Sequence, residues 1–156
     1  MTIQTCHGSL PRHTSNGHLL IEAAATVAEE RFFAVVGPLP ADDDLPLPGE
    51  WYLANIGFHG VVAGAVCVSL PIGLGRDLWA AFVNADTADD APDESVKEAV
   101  GEFAMMTARL WLTGVATSMA FDLQPPDVVR LAQAPDLLPE LMINMQPVMV
   151  GVDIAP

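Results

Sequence analysis

Positive charge is scarce in this chain. Only 6 of its 156 residues are Lys or Arg, against 20 Asp or Glu, so the formal net charge at pH 7 is −14. The phosphates of nucleic acids and the surfaces of anionic membranes repel a chain with this excess of negative charge. We therefore expect that its partner is neither a nucleic acid nor a membrane.

Cysteines and long apolar runs are also few. The 2 cysteines, Cys6 and Cys67, do not make a disulfide framework, and we expect reduced thiols. The most apolar stretch, residues 61–74, is interrupted by Pro71 and is shorter than the roughly 18 to 20 residues that span a bilayer. No basic segment precedes an apolar one at the N-terminus, so no secretory signal is predicted. Together these features predict a cytoplasmic protein.

The composition is nevertheless that of a folded protein, because 51% of the residues are hydrophobic and only 17% are charged. Residues 1–14 contain Gly8 and Pro11 and show no apolar periodicity, which indicates a flexible arm. The remaining residues, 15–156, have the usual length of one domain. We therefore expect an arm followed by a single domain.

Helical and extended patterns follow one another along this domain. Apolar residues recur at three- and four-residue steps from Ser15 or Asn16 to a helix stop at Gly37 and Pro38. Residues 51–58 and 61–70 are rich in β-branched and aromatic side chains and are separated by His59-Gly60. This pattern predicts a hairpin whose second strand is covered on both faces. Two further helices are predicted, over residues 74–82 and 93–113.

The C-terminal part is less regular. Residues 118–123 form a candidate strand, Pro125-Pro126 a turn, and residues 127–139 have no clear pattern. Residues 140–154 are predicted to be extended, with Pro147 and Gly151 indicating a bulge, a bend or an edge position. The order of a helix, two strands, two helices and further strands predicts an α+β domain built around an antiparallel sheet.

Common catalytic and metal-binding motifs are absent from the sequence. The 4 histidines lack the short spacings of a zinc site, and the acidic runs at 42–44 and 86–94 lack the ligand spacing of a calcium loop. There is also no glycine-rich phosphate loop and no nucleophile elbow. We expect neither a metal nor another cofactor.

The helix predicted over residues 93–113 carries the candidate binding surface. On a wheel of about 100° per residue, one stripe is mostly apolar and the opposite stripe holds Glu94, Glu98, Glu102, Met105 and Arg109. The wheel therefore predicts an exposed methionine among charged side chains, which is typical of a surface that contacts a partner. The candidate binding residues are Glu98, Glu102, Met105 and Arg109.

The same helix resembles a known family. Residues 99–108, AVGEFAMMTA, resemble the signature helix of the CheC/CheX family of chemotaxis phosphatases, whose pattern is close to A-V-G-E-hydrophobic-A-N-M-hydrophobic-A. Residues 56–70 and 121–129 are similar to the strand segments on either side of that helix, so the resemblance covers about residues 50–154. It implies a CheC-like fold in which an antiparallel sheet packs against long helices.

The resemblance also implies a site. In the family, the Glu pairs with the active-site lysine of a CheY-like response regulator, and the Asn three residues later orients the water that attacks the aspartyl phosphate. Such positioning is most of what a protein can contribute to this hydrolysis. Glu102 matches the Glu, but Met105 occupies the Asn position, and a thioether cannot hold a water by hydrogen bonds. Glu22 in the first predicted helix does not provide a second site, because Ala25 occupies the position three residues later where an Asn would be needed.

Three functions remain open from the sequence. The first is a CheX-like domain that binds a CheY-like response regulator but has lost or greatly weakened the phosphatase, with Glu102 kept as the docking carboxylate. The second is an active phosphatase in which another side chain positions the water. The third is a structural module without catalysis that assembles through a sheet edge. In each case we expect a homodimer, because members of the family that this chain resembles, such as CheX, look like homodimers that pair edge strands into a continuous sheet, and unpaired edges favour such contacts.

Overall fold

The computed structural model describes residues 15–40, 47, 49–89, 91–115 and 120–154. The arm expected over residues 1–14 lies outside these ranges, as does the acidic run at 42–44. The described residues form three helices, namely α1 (Ser15–Arg31), α2 (Ile72–Val83) and α3 (Asp93–Val115). They also form seven strands, namely β1 (Val36–Gly37), β2 (Trp51–His59), β3 (Ala63–Pro71), β4 (Asp122–Leu123), β5 (Asp127–Leu131), β6 (Leu141–Ile143) and β7 (Gln146–Ile154).

The strands form one antiparallel sheet in the order β1-β6-β7-β3-β2-β4, and β5 also pairs with β2. The predicted hairpin is confirmed, since β2 and β3 pair along their whole length from Trp51 opposite Pro71 to His59 opposite Ala63. Strand β3 lies between β2 and β7 and is buried at every residue after Ala63. The α+β fold with an antiparallel sheet is therefore confirmed.

The three helices pack with one face of the sheet to form the core. Alternate residues of β2 (Tyr52, Ala54, Ile56 and Phe58) belong to the same buried cluster as residues of all three helices, as the period of two in a strand requires. Helix α3 packs against both α1 and α2 and also against β2 and β5. It is therefore the central helix of the layer, which explains why its burial extends beyond a single stripe.

A glycine makes the packing of α2 possible. A Cβ at Gly75 would lie 2.8 Å from two ring carbons of Tyr52 and 3.1 Å from Val96. Residue 75 must therefore lack a side chain for α2 to lie this close to β2 and α3.

The first helix ends earlier than its periodicity predicts. Helix α1 stops at Arg31 instead of Gly37, and Phe33 adopts a left-handed backbone with φ of 54°. Beyond that residue, Val36 and Gly37 pair with β6. The prediction was wrong because the apolar period continues past Phe32 and therefore indicates a longer helix. The conformation of Val36 and Gly37 is instead determined by their pairing with β6, which is distant in sequence.

The C-terminal strands were only partly predicted. Residues 140–154 form a hairpin, β6 and β7, whose turn residues Asn144 and Met145 have φ of 50° and 62°. Strand β5 lies in the segment without a clear pattern, and three of its five residues are exposed, so it has no alternating apolar signal. Of the strand predicted over residues 118–123, Asp122 and Leu123 form β4, and residues 118 and 119 lie outside the described ranges.

Candidate functional site

The first turn of α3 is held by a polar cluster. The Tyr52 hydroxyl donates to Asp93 Oδ1 at 2.6 Å, and Arg130 Nη1 donates to the same oxygen at 3.1 Å. Arg130 also pairs with Glu50, so the cluster joins β5 and the residue before β2 to the start of α3. The bond from Tyr52 is the main reason that the pKa of Asp93 lies below its usual value. Burial, followed by the negative Asp93, raises the pKa of Tyr52 well above its usual value.

A close contact fixes α3 beside the segment that leads into β5. A Cβ at Gly101 would lie 3.1 Å from Pro126 Cγ and 3.4 Å from Val128 Cγ2. Beside this contact runs an open groove of about 560 Å³, which we call the acidic groove. Its lining residues are Phe82, Glu94, Lys97, Glu98, Gly101, Glu102, Pro126, Asp127 and Val128.

The acidic groove contains four carboxylates and one cation. Lys97 Nζ lies 3.5 Å from an oxygen of Asp93 and 3.6 Å from an oxygen of Glu94. Within the described ranges, neither Glu98 nor Glu102 forms a salt bridge, and both side chains are at least partly exposed. Both carboxylates are therefore accessible to a positively charged group of a partner.

Met105 is not on the exposed face that the wheel predicts. Its exposed fraction is 8%, and it belongs to the hydrophobic core. On this side of α3, Gly101 one turn before Met105, Ala108 one turn after it and Leu112 two turns after it are buried too. The prediction was wrong because the sheet covers one flank of α3 while α1 and α2 cover others, so the buried surface of the helix extends beyond one apolar stripe and includes Met105.

Arg109 is exposed but lies in a different groove from Glu98 and Glu102. A depression of about 350 Å³ separates α1 from α3, and we call it the α1–α3 groove. Its lining residues are Thr26, Val27, Glu30, Arg31, Met106, Arg109, Leu110 and Thr113. The structure thus brings together Glu98 and Glu102 but separates both from Met105 and Arg109.

Several residues of these grooves were missed by sequence reasoning, among them Phe82, Asp127 and Arg31. Phe82 fits the amphipathic pattern of α2 as a core residue, yet 49% of it is exposed. Asp127 and Arg31 approach α3 only through the tertiary fold, because they lie on β5 and α1. The spacing within a single element gives no signal for such neighbours.

The described residues show no arrangement for a metal. Over residues 15–40, 47, 49–89, 91–115 and 120–154, no group of three or more His, Cys, Asp or Glu side chains is placed to hold an ion. In the same ranges, no helix has the length and the apolar character needed to cross a bilayer.

Comparison with solved structures shows which proteins share this fold. The chain is similar to chemotaxis protein CheX from Vibrio vulnificus, with 14% sequence identity, a TM-score of 0.69, and 91% of this chain and 97% of that chain covered. For CheX from Desulfovibrio desulfuricans the identity is 13% and the TM-score 0.66, with 91% and 100% covered. The chain is also similar to CheX of a CheX–CheY–BeF3–Mg2+ complex from Borrelia burgdorferi. The sequence identity is 15% and the TM-score 0.58, with 92% of this chain and 100% of that chain covered.

The sequence itself identifies the family. No curated protein matches the chain, but the family model described as chemotaxis phosphatase CheX matches residues 52–142. This range contains β3, α2, α3, β4, β5 and all of β2 except Trp51, and it includes every lining residue of the acidic groove. The chain belongs to the CheX chemotaxis phosphatase family.

Proposed function

We propose that this CheX-family chain binds a CheY-like response regulator in the cytoplasm through the exposed face of α3, and that its phosphatase activity is lost or greatly weakened. Glu102 is the docking carboxylate, with Glu98 beside it in the acidic groove and Arg109 farther along α3. The observation that carries the proposal is the residue at the third position after Glu102, which is a methionine with an exposed fraction of 8%.

Two physical reasons prevent Met105 from acting as the family's Asn. A thioether donates no hydrogen bond and accepts only weak ones, and this side chain lies in the core instead of beside Glu102. The acidic groove offers no substitute carboxamide, since none of its described lining residues is Asn or Gln. Glu102 and Glu98 can still attract a cationic group, so docking is retained without a means to orient the attacking water.

The CheX–CheY complex from Borrelia burgdorferi supports the choice of partner, because the CheX of that complex shares the fold of this chain. The partner has a phosphorylated aspartate, and any magnesium belongs to the partner's own phosphate site. No cofactor of this chain is part of the proposal.

Binding and hydrolysis are tested separately. CheY-like receiver domains from the same genome are activated with BeF3 and Mg2+ and titrated with the protein. We expect at least one to bind, and Glu102→Ala to weaken this binding about 10-fold or more, because a charge-assisted contact is lost. Glu29→Ala, which removes an exposed carboxylate of α1 outside both grooves, is the matched control and leaves binding unchanged. Failure of every receiver to bind would contradict the proposal.

Phosphate release from the same receivers, phosphorylated and mixed with the protein, measures the activity. We expect the wild type to leave the rate of phosphate loss unchanged. Met105→Asn tests the degenerate site, with Met105→Leu as the control for packing. A gain of hydrolysis in the Asn variant alone supports a site that lost its amide, and it would show that the chemistry of the thioether, and not the burial of residue 105, is the cause. Rapid, Glu102-dependent hydrolysis by the wild type instead identifies the second function, an active phosphatase with another water-positioning group.

We also propose that the chain forms a homodimer through the edge of the sheet at β1. Three apolar side chains are exposed at this edge, with exposed fractions of 81% for Phe33, 71% for Val35 and 88% for Met145. The backbone of Val35 is hydrogen-bonded to Asn144 of the neighbouring turn. Residues 32–40 and 141–145, which include β1, β6 and the turn after β6, contain no charged residue in a chain with 26 of them. Dimer formation without binding of any receiver would favour the third function, a structural module.

A further inference from the structure

The exposed face of α3 separates two grooves of unlike charge. The acidic groove lies on the side of β5, and the α1–α3 groove lies on the side of α1. Glu98 and Glu102 line the acidic groove, and Met106 and Arg109 line the α1–α3 groove. These four residues follow one another along α3 at spacings of three or four, so they form one continuous strip of helix surface. A protein that docks on α3 at Glu102 therefore meets both grooves.

Cationic side chains are rare in this chain, and two of them line the α1–α3 groove. Arg31 and Arg109 are two of only 6 Lys and Arg residues in the sequence, and both line this groove together with Glu30. Among the described residues, no salt bridge joins either guanidinium to a carboxylate. By contrast, Lys97 of the acidic groove is already paired with Asp93 and Glu94. The free positive charge on this surface is thus concentrated beside α1.

We propose that the response regulator lies across both grooves in a single orientation, with a cationic surface on the acidic groove and an acidic surface against Arg31 and Arg109. This inference rests on the proposed function and adds α1 to the docking surface. The opposite orientation would place acidic groups of the partner against Glu98 and Glu102, and like charges at an interface are strongly unfavourable. The charge pattern of the two grooves therefore determines the orientation in which the partner binds.

The dimensions suit one interface. Arg109 follows Glu102 by seven residues, which corresponds to about 10 Å along a helix, well within a standard interface that buries roughly 800 Å² on each partner. Met106 is half-buried and Leu110 is 41% exposed, and both line the α1–α3 groove together with the two arginines, so this groove also offers apolar contact. Charged groups around an apolar centre are the usual arrangement of a docking surface.

The test uses the receiver domain that binds the wild type, activated with BeF3 and Mg2+. Arg31→Glu and Arg109→Glu are each expected to weaken binding about 5-fold, because a favourable exposed ion pair is replaced by a repulsive one. The neutral variants Arg31→Gln and Arg109→Gln are expected to give smaller losses. Arg76→Glu, an exposed arginine of α2 outside both grooves, makes the same change in net charge and is the matched control.

The outcomes separate this inference from the proposed function. Loss of affinity in the Arg31 and Arg109 variants, with Arg76→Glu within about 2-fold of the wild type, supports the orientation. Binding that depends on Glu102 but not on Arg31 or Arg109 overturns the orientation and leaves the proposed function intact. Equal losses in all three arginine variants indicate only a long-range effect of net charge and also overturn it. Absence of any receiver binding rejects both.

Discussion

At the scale of single residues, burial decides what α3 can do chemically. Glu102 lines an open groove, whereas Met105, three residues later, lies in the hydrophobic core with an exposed fraction of 8%. Two positions that a helix normally presents on one face are here divided between solvent and core. The loss of activity that we propose follows both from the chemistry of the thioether and from its location.

The burial of Met105 predicts a difference in stability. Met105→Ala is expected to lower the free energy of unfolding by about 2 to 4 kcal/mol, because a core side chain is replaced by a cavity. Glu102→Ala, at the exposed position, is expected to change it by less than about 0.5 kcal/mol. Urea unfolding followed by tryptophan fluorescence measures both. Equally small effects for the two variants would show that Met105 is exposed as the wheel predicts.

At the scale of elements, the position of α3 depends on its anchored first turn. Asp93 accepts hydrogen bonds from Tyr52 on β2 and from Arg130 on β5, so two strands fix one end of the helix. Neither partner is predictable from the helix sequence, because β2 and β5 meet Asp93 only after the sheet has formed. The helix itself, the preceding helix and the β2–β3 hairpin were predictable, since their periodicities and turn residues are local.

The anchor predicts a dependence of stability on acid. The pKa of Asp93 is below its unfolded value of 3.8, so its carboxylate stabilises the fold above about pH 4 and this contribution is lost as the pH falls through the folded pKa. Tyr52→Phe removes the main cause of the shift. We expect this substitution to lower the free energy of unfolding by about 1 to 2 kcal/mol at pH 7. On acidification, the variant should then lose less stability than the wild type does.

Urea unfolding between pH 2.5 and pH 7 tests this prediction. Asp93→Asn and the double variant complete a mutant cycle, in which the coupling between the two side chains should fade at low pH. If the wild type and Tyr52→Phe lose stability in parallel as the pH falls, Tyr52 does not control the pKa of Asp93.

At the scale of the whole molecule, charge and shape act together. A formal net charge of −14 opposes the association of two copies, yet the β1 edge exposes Phe33, Val35 and Met145 and has no charged residue in the segments that form it. The proposed dimer places this uncharged edge at the interface. The other exposed face, α3, is then left free for the response regulator.

The dimer predicts an unusual response to salt. Raising NaCl from 50 to 500 mM should strengthen dimerisation several-fold, because screening reduces the repulsion between like-charged copies. Val35→Glu should give a monomer, while Val129→Glu, the same change on β5 at the opposite edge, should not. Sedimentation at micromolar concentration distinguishes these states. A wild-type monomer at both salt concentrations, or a dimer lost only in Val129→Glu, would refute the proposed interface.

The sequence by itself determined the α+β class, the β2–β3 hairpin, helices α2 and α3, and Glu102 as a candidate docking residue. Each of these depends on side-chain periodicity or on a motif within one element. Only the tertiary structure decided that Met105 is buried, that α1 ends at Arg31, and that Asp127 and Arg31 flank α3 in different grooves. These features depend on which distant segments cover a surface, and a pattern along one helix or strand does not contain that information.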